Sequence, residues 1–210
     1  MKRTLLLTYA LIVPLVLGGL CCNSRSEPEK PPAPVGGEWR VAATSSASPK
    51  WAIRLERPGI PNLHRVTDDL YRGAQPTAEG MRELKAVGVK TIVNLRSFHS
   101  DRDEIGDTGL AYEHIYMKAW HPEDKEVIRF LQIVTDKNRT PVFVHCRYGA
   151  DRTGLMCAIY REAVCGWDKE EAIREMTEGG FGFHKAWQNL VEYVKHLDVR
   201  EMKKRARITE

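Results

Sequence analysis

The chain has 210 residues, with 32 Lys and Arg against 28 Asp and Glu, a net charge of +4. At 42% hydrophobic and 29% charged residues it holds enough apolar material for one folded core, which excludes a wholly disordered chain. The basic excess is mild and sits partly at the ends, so it does not mark a nucleic-acid binder, and five cysteines at irregular spacing do not build a disulfide framework.

The first segment predicts a targeting element. Lys2 and Arg3 precede an uncharged run over residues 4–20, short for a membrane span and interrupted by Pro14. Its end, Leu17-Gly18-Gly19-Leu20-Cys21-Cys22, resembles a bacterial lipoprotein processing site, although Leu20 stands where a small residue is preferred. Residues 1–22 are expected to be a cleaved signal or lipoprotein-type leader, with Cys21 as the lipid site, or a retained anchor. Either version exports the rest of the chain as a membrane-anchored or periplasmic protein. Residues 23–50, with Pro28, Pro31, Pro32, Pro34 and Pro49, read as an extended spacer.

A domain is predicted over 51–198. Leu63 to Val66 and Leu70 to Arg72 read as strands around a turn at Thr67-Asp68-Asp69. Thr77 caps a helix carrying Met81, Leu84 and Val87 on one face, closed by Gly88. A strand over 91–95, a polar short helix or loop over 101–109 and a strand over 111–116 come next. The helix over 123–135 spaces Val127, Phe130, Leu131 and Val134 at helical period. Val142-Phe143-Val144 is a continuous apolar run, as in a central parallel strand. Helices follow over 153–164, after a capping box at Asp168 and Glu171, and along Trp187, Leu190, Val191, Val194 and Leu197. Trp120 and Trp187 are expected in the core. Residues 199–210, with Lys203, Lys204, Arg205 and Arg207, read as a solvated basic tail. Alternating strands and helices give an α/β fold, a small mainly parallel sheet flanked by helices.

Directly after the apolar strand stands His145-Cys146-Arg147-Tyr148-Gly149-Ala150-Asp151-Arg152-Thr153-Gly154. A loop that ends at a helix N-terminus turns backbone N–H groups inward and adds the positive end of the helix dipole, which suits an anion. Gly149 allows the tight bend. Arg152 can fold over the cradle and grip a phosphate bidentately. The same field favours thiolate over thiol at Cys146, a nucleophile aimed at phosphorus. The Thr153 hydroxyl can hydrogen-bond the sulfur and ease its departure, and His145 orients the loop. Arg147, Tyr148, Gly149, Ala150 and Asp151 complete the phosphate-binding stretch.

This motif resembles the signature of the cysteine-dependent protein tyrosine phosphatase superfamily, most closely its compact dual-specificity branch in bacteria. Tyr71-Arg72-Gly73-Ala74-Gln75-Pro76, Asn94-Leu95-Arg96 and Gly179-Gly180-Phe181-Gly182-Phe183-His184 are similar to segments of those members. The resemblance implies Cys146 as nucleophile, Arg152 as phosphate binder, and neither cofactor nor metal. It implies hydrolysis of phosphomonoesters, on phosphotyrosine or phosphoserine/threonine of proteins. The alternatives are an inositol phosphate, inositol pyrophosphate or other small ester, or a catalytically weak phosphate-binding module. The acidic Asp151 in the loop argues against a crowded polyphosphate. A general acid is expected on the segment 117–124. Asp124, 22 residues before Cys146, matches the spacing of the plant and fungal branch that cleaves inositol pyrophosphates, with Glu123, His121 and Asp103 behind it. An acidic residue in a first helical turn is also favoured on structural grounds alone. Arg96 either helps to bind phosphate or pairs with an acidic neighbour. Cys157 and Cys165, about 12 Å apart along one helix, cannot pair with each other. The domain is expected to be a monomer.

Overall fold

Two-residue and four-residue strand pairings build the sheet from its edge inward. The computed structural model describes residues 40–41 and 51–208. The leader over 1–22 and nearly all of the spacer over 23–50 lie outside the described residues. The chain divides into Met1–Ala33 and Pro34–Glu210, and the description concerns the second unit. Strand β1 (Arg40–Val41) falls inside the stretch read as a spacer. It pairs antiparallel with β2 (Ile53–Glu56), placing Arg40 opposite Glu56 and Val41 opposite Leu55. Ladder bonds come from the backbone, so a composition poor in apolar side chains does not prevent an edge strand.

Strand β2 continues antiparallel to β3 (His64–Arg65) and β3 to β4 (Leu70–Gly73), the hairpin expected from the sequence. Beyond β4 the sheet is parallel. Three more strands, β5 (Thr91–Asn94), β6 (Ala111–His114) and β7 (Val142–His145), complete the order β1-β2-β3-β4-β7-β5-β6. Each parallel pairing runs over four residues and each antiparallel one over two, so the parallel part carries the core. Strands β5 and β7 are buried on both faces, which explains their unbroken apolar runs. Ile92 and Phe143 enter one apolar cluster with Met81 and Leu84; Val93, Val142 and Val144 enter the other. Each such side chain contributes about 1.5–3 kcal/mol by burial.

Helices cover both faces. On one side lie α1 (Ala78–Ala86), where Thr77 Oγ1 accepts from the Gly80 N–H at 3.2 Å, and the short α2 (Arg102–Ile105). On the other lie α3 (Asp124–Thr135), α4 (Asp151–Ala163), α5 (Lys169–Glu178) and α6 (Gln188–His196), the last preceded by a 3₁₀ turn at Lys185–Trp187. Helix α4 is buried almost all round because it lies between the sheet and α3, α5 and α6. Its Arg161 holds Glu175 of α5 through two hydrogen bonds of 2.7 Å, with both side chains almost fully buried. Glu175 also accepts the Ala52 N–H at 2.6 Å, tying the chain entry to both helices.

The segment after Asp198 departs from the expected tail. It forms α7 (Val199–Ala206), capped by Asp198 accepting from the Glu201 N–H, with Met202 and Ala206 buried against the core that includes α3. Val199, Met202 and Ala206 fall on one helical face between the cations, an apolar stripe that the Lys and Arg run conceals. The folded domain therefore extends past residue 198. Trp187 packs partly buried against the core, whereas Trp120 is 61% exposed.

Candidate active site

The Cys146–Ala150 loop leaves the C-terminal end of β7 and runs into the first turn of α4, with Cys146 2% exposed at its base. Its carbonyls are all tied on the outside. The Leu95 N–H donates to His145 O at 2.9 Å, and the Gln75 N–H to Arg147 O at 3.4 Å. Asn62 Nδ2 donates to Tyr148 O at 2.9 Å and Arg72 Nη2 to Gly149 O at 2.8 Å. Ala150 O accepts from Gly154 N–H at 2.8 Å and from Arg72 Nη2 at 3.4 Å, and Cys146 O lies 3.3 Å from His145 Nδ1. With these carbonyls engaged, no acceptor among the described residues takes the N–H groups of Arg147 to Ala150. Free N–H groups in a loop that runs into a helix N-terminus suit an anion.

Gly149 adopts φ +69, and a Cβ there would meet the Gly73 backbone at 2.4 Å, so only glycine closes this turn. Arg152, expected to fold over the loop, is anchored at one end of its guanidinium. Its Nη1 donates to Leu95 O and Met117 O, both at 3.2 Å, leaving Nε and Nη2 without an acceptor among the described residues. Two parallel N–H groups of a guanidinium suit a phosphate. His145 is fully buried and its Nε2 meets Asp101 Oδ2 at 2.7 Å. Asp101, also fully buried, accepts from Gln75 Nε2 and Asn94 Nδ2 at 3.0 Å. Burial opposes its charge, but the bonds from His145 and Gln75 outweigh that and hold the carboxyl below its ordinary range. Asp101 thus fixes the His145 ring beneath the loop.

Several expected contacts fall elsewhere. Thr153 Oγ1 is buried with no hydrogen-bond partner, so the bond to the Cys146 sulfur is not made here. Asp151 turns its carboxylate away from the loop's N–H groups onto His184, whose N–H lies at 2.9 Å and whose Nδ1 at 2.9 Å. Its charge is therefore engaged, which weakens the argument against a crowded polyphosphate. Tyr148 is 54% exposed at the rim, with the Arg147 guanidinium 5.2 Å from its ring. Arg96 donates to Gln75 Oε1 at 3.0 Å; burial, reinforced by Arg147 and Arg152 nearby, lowers its pKa against the pull of Asp101. Three arginines therefore share one field beside Cys146.

Asp124 meets different partners from those a proton donor needs. Tyr193 of α6 donates to one carboxylate oxygen and Arg205 of α7 to the other, both at 2.8 Å. Burial and the Asp124 carboxylate push the Tyr193 phenol up, so it remains a donor. Asp124→Asn is expected to cost about 0.2–1 kcal/mol, the worth of a half-exposed ion pair, with kcat on phosphotyrosine within a few-fold of the parent. A rate loss of about 10²–10⁴-fold would instead return Asp124 to general-acid duty. Glu123 precedes α3 and pairs with Lys125 at 2.7 Å. His121 and Asp103 are exposed, with no side-chain hydrogen bond or ion pair among the described residues.

The sequence reading gave no role to Asn62, Asp101 or Arg72, the last inside the Tyr71–Pro76 segment; all three buttress the loop from behind. His99, Asp101 and Glu104 bring three potential metal-ligand atoms within 4.8 Å of one another, but Asp101 is already committed to His145, Gln75 and Asn94. A second cleft, lined by Lys85, Lys90, Glu113 and Arg139, opens near the opposite, N-terminal ends of β5 and β6.

The family described as DSP-PTPase phosphatase fused to NAD+ kinase matches residues 59–190. The chain belongs to this phosphatase family. It is 36% identical over 167 residues to the dual specificity protein phosphatase TpbA of Pseudomonas aeruginosa, covering 79% of this chain and 75% of that protein. The crystal structure of P. aeruginosa TpbA in complex with pTyr superposes with a TM-score of 0.69 at 33% identity, over 78% of this chain and 100% of that one. The catalytic core of the Saccharomyces cerevisiae PP-IP phosphatase Siw14 shares the fold, with a TM-score of 0.62 at 21% identity over 70% of this phosphatase and 92% of that chain. The α/β architecture and the phosphatase class are thereby those anticipated from the loop motif.

Proposed function

We propose that the chain hydrolyses phosphotyrosine, and with it phosphoserine and phosphothreonine, in proteins through a phosphocysteine at Cys146. The single observation that carries this reading is the loop with every carbonyl tied outward around a buried cysteine. The pTyr complex of TpbA supports the substrate class. The Cys146 sulfur attacks phosphorus, the P–O bond to the leaving group breaks, and that oxygen takes a proton. Water then attacks phosphorus, the P–S bond breaks, and phosphate leaves as the thiolate is restored. Loop N–H groups and Arg152 hold the equatorial oxygens through both steps. The donor to the leaving oxygen is sought on the 117–124 segment, where His121 is exposed and has no side-chain hydrogen bond or ion pair among the described residues.

The arginine field of Arg96, Arg147 and Arg152 favours a second reading, an inositol pyrophosphate or other small polyphosphate. The Arabidopsis inositol diphosphatase at 23% identity belongs with that reading. A panel of phosphotyrosyl peptides, phosphoseryl peptides and inositol pyrophosphates decides between the two by kcat/KM. Preference for the peptides is expected; hydrolysis of pyrophosphates alone would overturn the protein reading. The domain is further proposed to work outside the cytoplasmic membrane, held or released through residues 1–50. A reporter fused after Lys50 and active only in the cytoplasm would contradict that placement.

A further inference from the structure

We propose that Arg72 is a positioning residue of the phosphate site, a buried cation that turns the loop into its anion-binding form from behind. Arg72 lies on β4 at 1% exposure. Its Nη2 donates to Gly149 O and Ala150 O, the two carbonyls at the tightest part of the loop. Its guanidinium carbon stands 3.7 Å from the centre of the Phe181 ring, which fixes the plane of the group. Gly154, in the first turns of α4, lies beside it: a Cβ there would be in ordinary contact, 3.7 Å from Arg72 Nη2. Among the described residues Arg72 forms no ion pair with a carboxylate, and its Nε is buried without a hydrogen-bond partner.

A guanidinium buried without a counter-charge is costly, and its cost falls when an anion comes near. The loop places that anion. Peptide units are planar and trans, so a donor that pulls two carbonyls backward also turns the adjoining N–H groups forward. Arg72 therefore acts twice on a bound phosphate: by geometry through Gly149 and Ala150, and by charge through a low-dielectric layer. A cation kept only to fill the core would have met a carboxylate, as Arg161 meets Glu175.

The inference rests on the reading of the Cys146 loop as a phosphate site, and the experiment separates the two. Inorganic phosphate binding by calorimetry, the rise in melting temperature on adding phosphate, and kcat and KM on a phosphotyrosyl peptide are measured on the full chain and its variants. Arg72→Met is expected to weaken phosphate binding about 10-fold or more and to abolish most of the phosphate-induced rise in melting temperature. Its kcat should fall about 10²-fold, the cost of a slightly misplaced site. Arg72→Lys keeps the charge but cannot span both carbonyls; it should recover part of the phosphate affinity and little of kcat. If Arg72→Met does not fold, Phe181→Leu frees the guanidinium plane and should weaken phosphate binding several-fold. A folded Arg72→Met or Phe181→Leu that binds phosphate and turns over as the parent does would overturn the proposal. A parent chain that neither binds phosphate nor hydrolyses the peptide would instead remove the underlying site reading.

Discussion

Cys146→Ser lowers turnover of a phosphotyrosyl peptide by on the order of 10⁴–10⁶-fold, the scale of losing a nucleophile that works as part of a unit. Phosphate affinity stays within a few-fold, because the cradle is made of backbone N–H groups whose carbonyls are held by Leu95, Gln75, Asn62 and Arg72, through hydrogen bonds that do not involve the sulfur. Serine is nearly isosteric, so the buried base of the loop keeps its packing. Steady-state rates and phosphate calorimetry on the same preparation check both halves. Retained turnover would remove the thiolate from the chemistry, and lost phosphate binding would mean that the sulfur shapes the cradle. Arg152→Lys belongs to the same test: a point charge replaces a two-pronged donor, with an expected loss of about 10²–10³-fold in kcat.

Glu175→Ala is expected to destabilise the fold by about 3–5 kcal/mol, the cost of leaving a buried charge without its partner. Glu175 is 2% exposed and receives Arg161 through both Nε and Nη2 and the Ala52 N–H as well. Its loss takes the carboxylate from the Arg161 guanidinium inside the α4–α5 contact and loosens the chain entry, where Trp51 Nε1 also bonds Glu171 of α5. Urea unfolding followed by tryptophan fluorescence reads the effect. A loss below about 1 kcal/mol would mean that water reaches the pair, as at an exposed ion pair.

The chemistry was legible in the sequence because it sits in ten consecutive residues between a buried strand and a helix. His145 to Gly154 declare the loop, its bend and its arginine by spacing alone. The residues that hold the loop were not legible, because each meets it only after the chain has closed. Arg72 reaches Gly149 across 77 positions, Asn62 reaches Tyr148 across 86, and Asp101 reaches His145 across 44. Asp101 lay in a polar stretch that reads as loop, and nothing local distinguishes a buried carboxylate there from a solvated one. The same holds for Asp124. An acidic residue at the start of a helix has local reasons to be there, and its partner Arg205 lies 81 positions away on a helix hidden inside a basic run. Strand β2, four residues long with a single buried side chain, carries too little alternation to declare itself.

The central claim is that phosphate passes through the Cys146 sulfur. Rapid acid quench of the protein during turnover of a phosphotyrosyl substrate, followed by peptide mass analysis, reads that step directly. The account predicts one added phosphoryl group on the peptide containing Cys146, formed within the first turnover and absent from Cys146→Ser. Phosphate released with no phosphorylated Cys146 peptide at any quench time, or the label found on another residue, would contradict it.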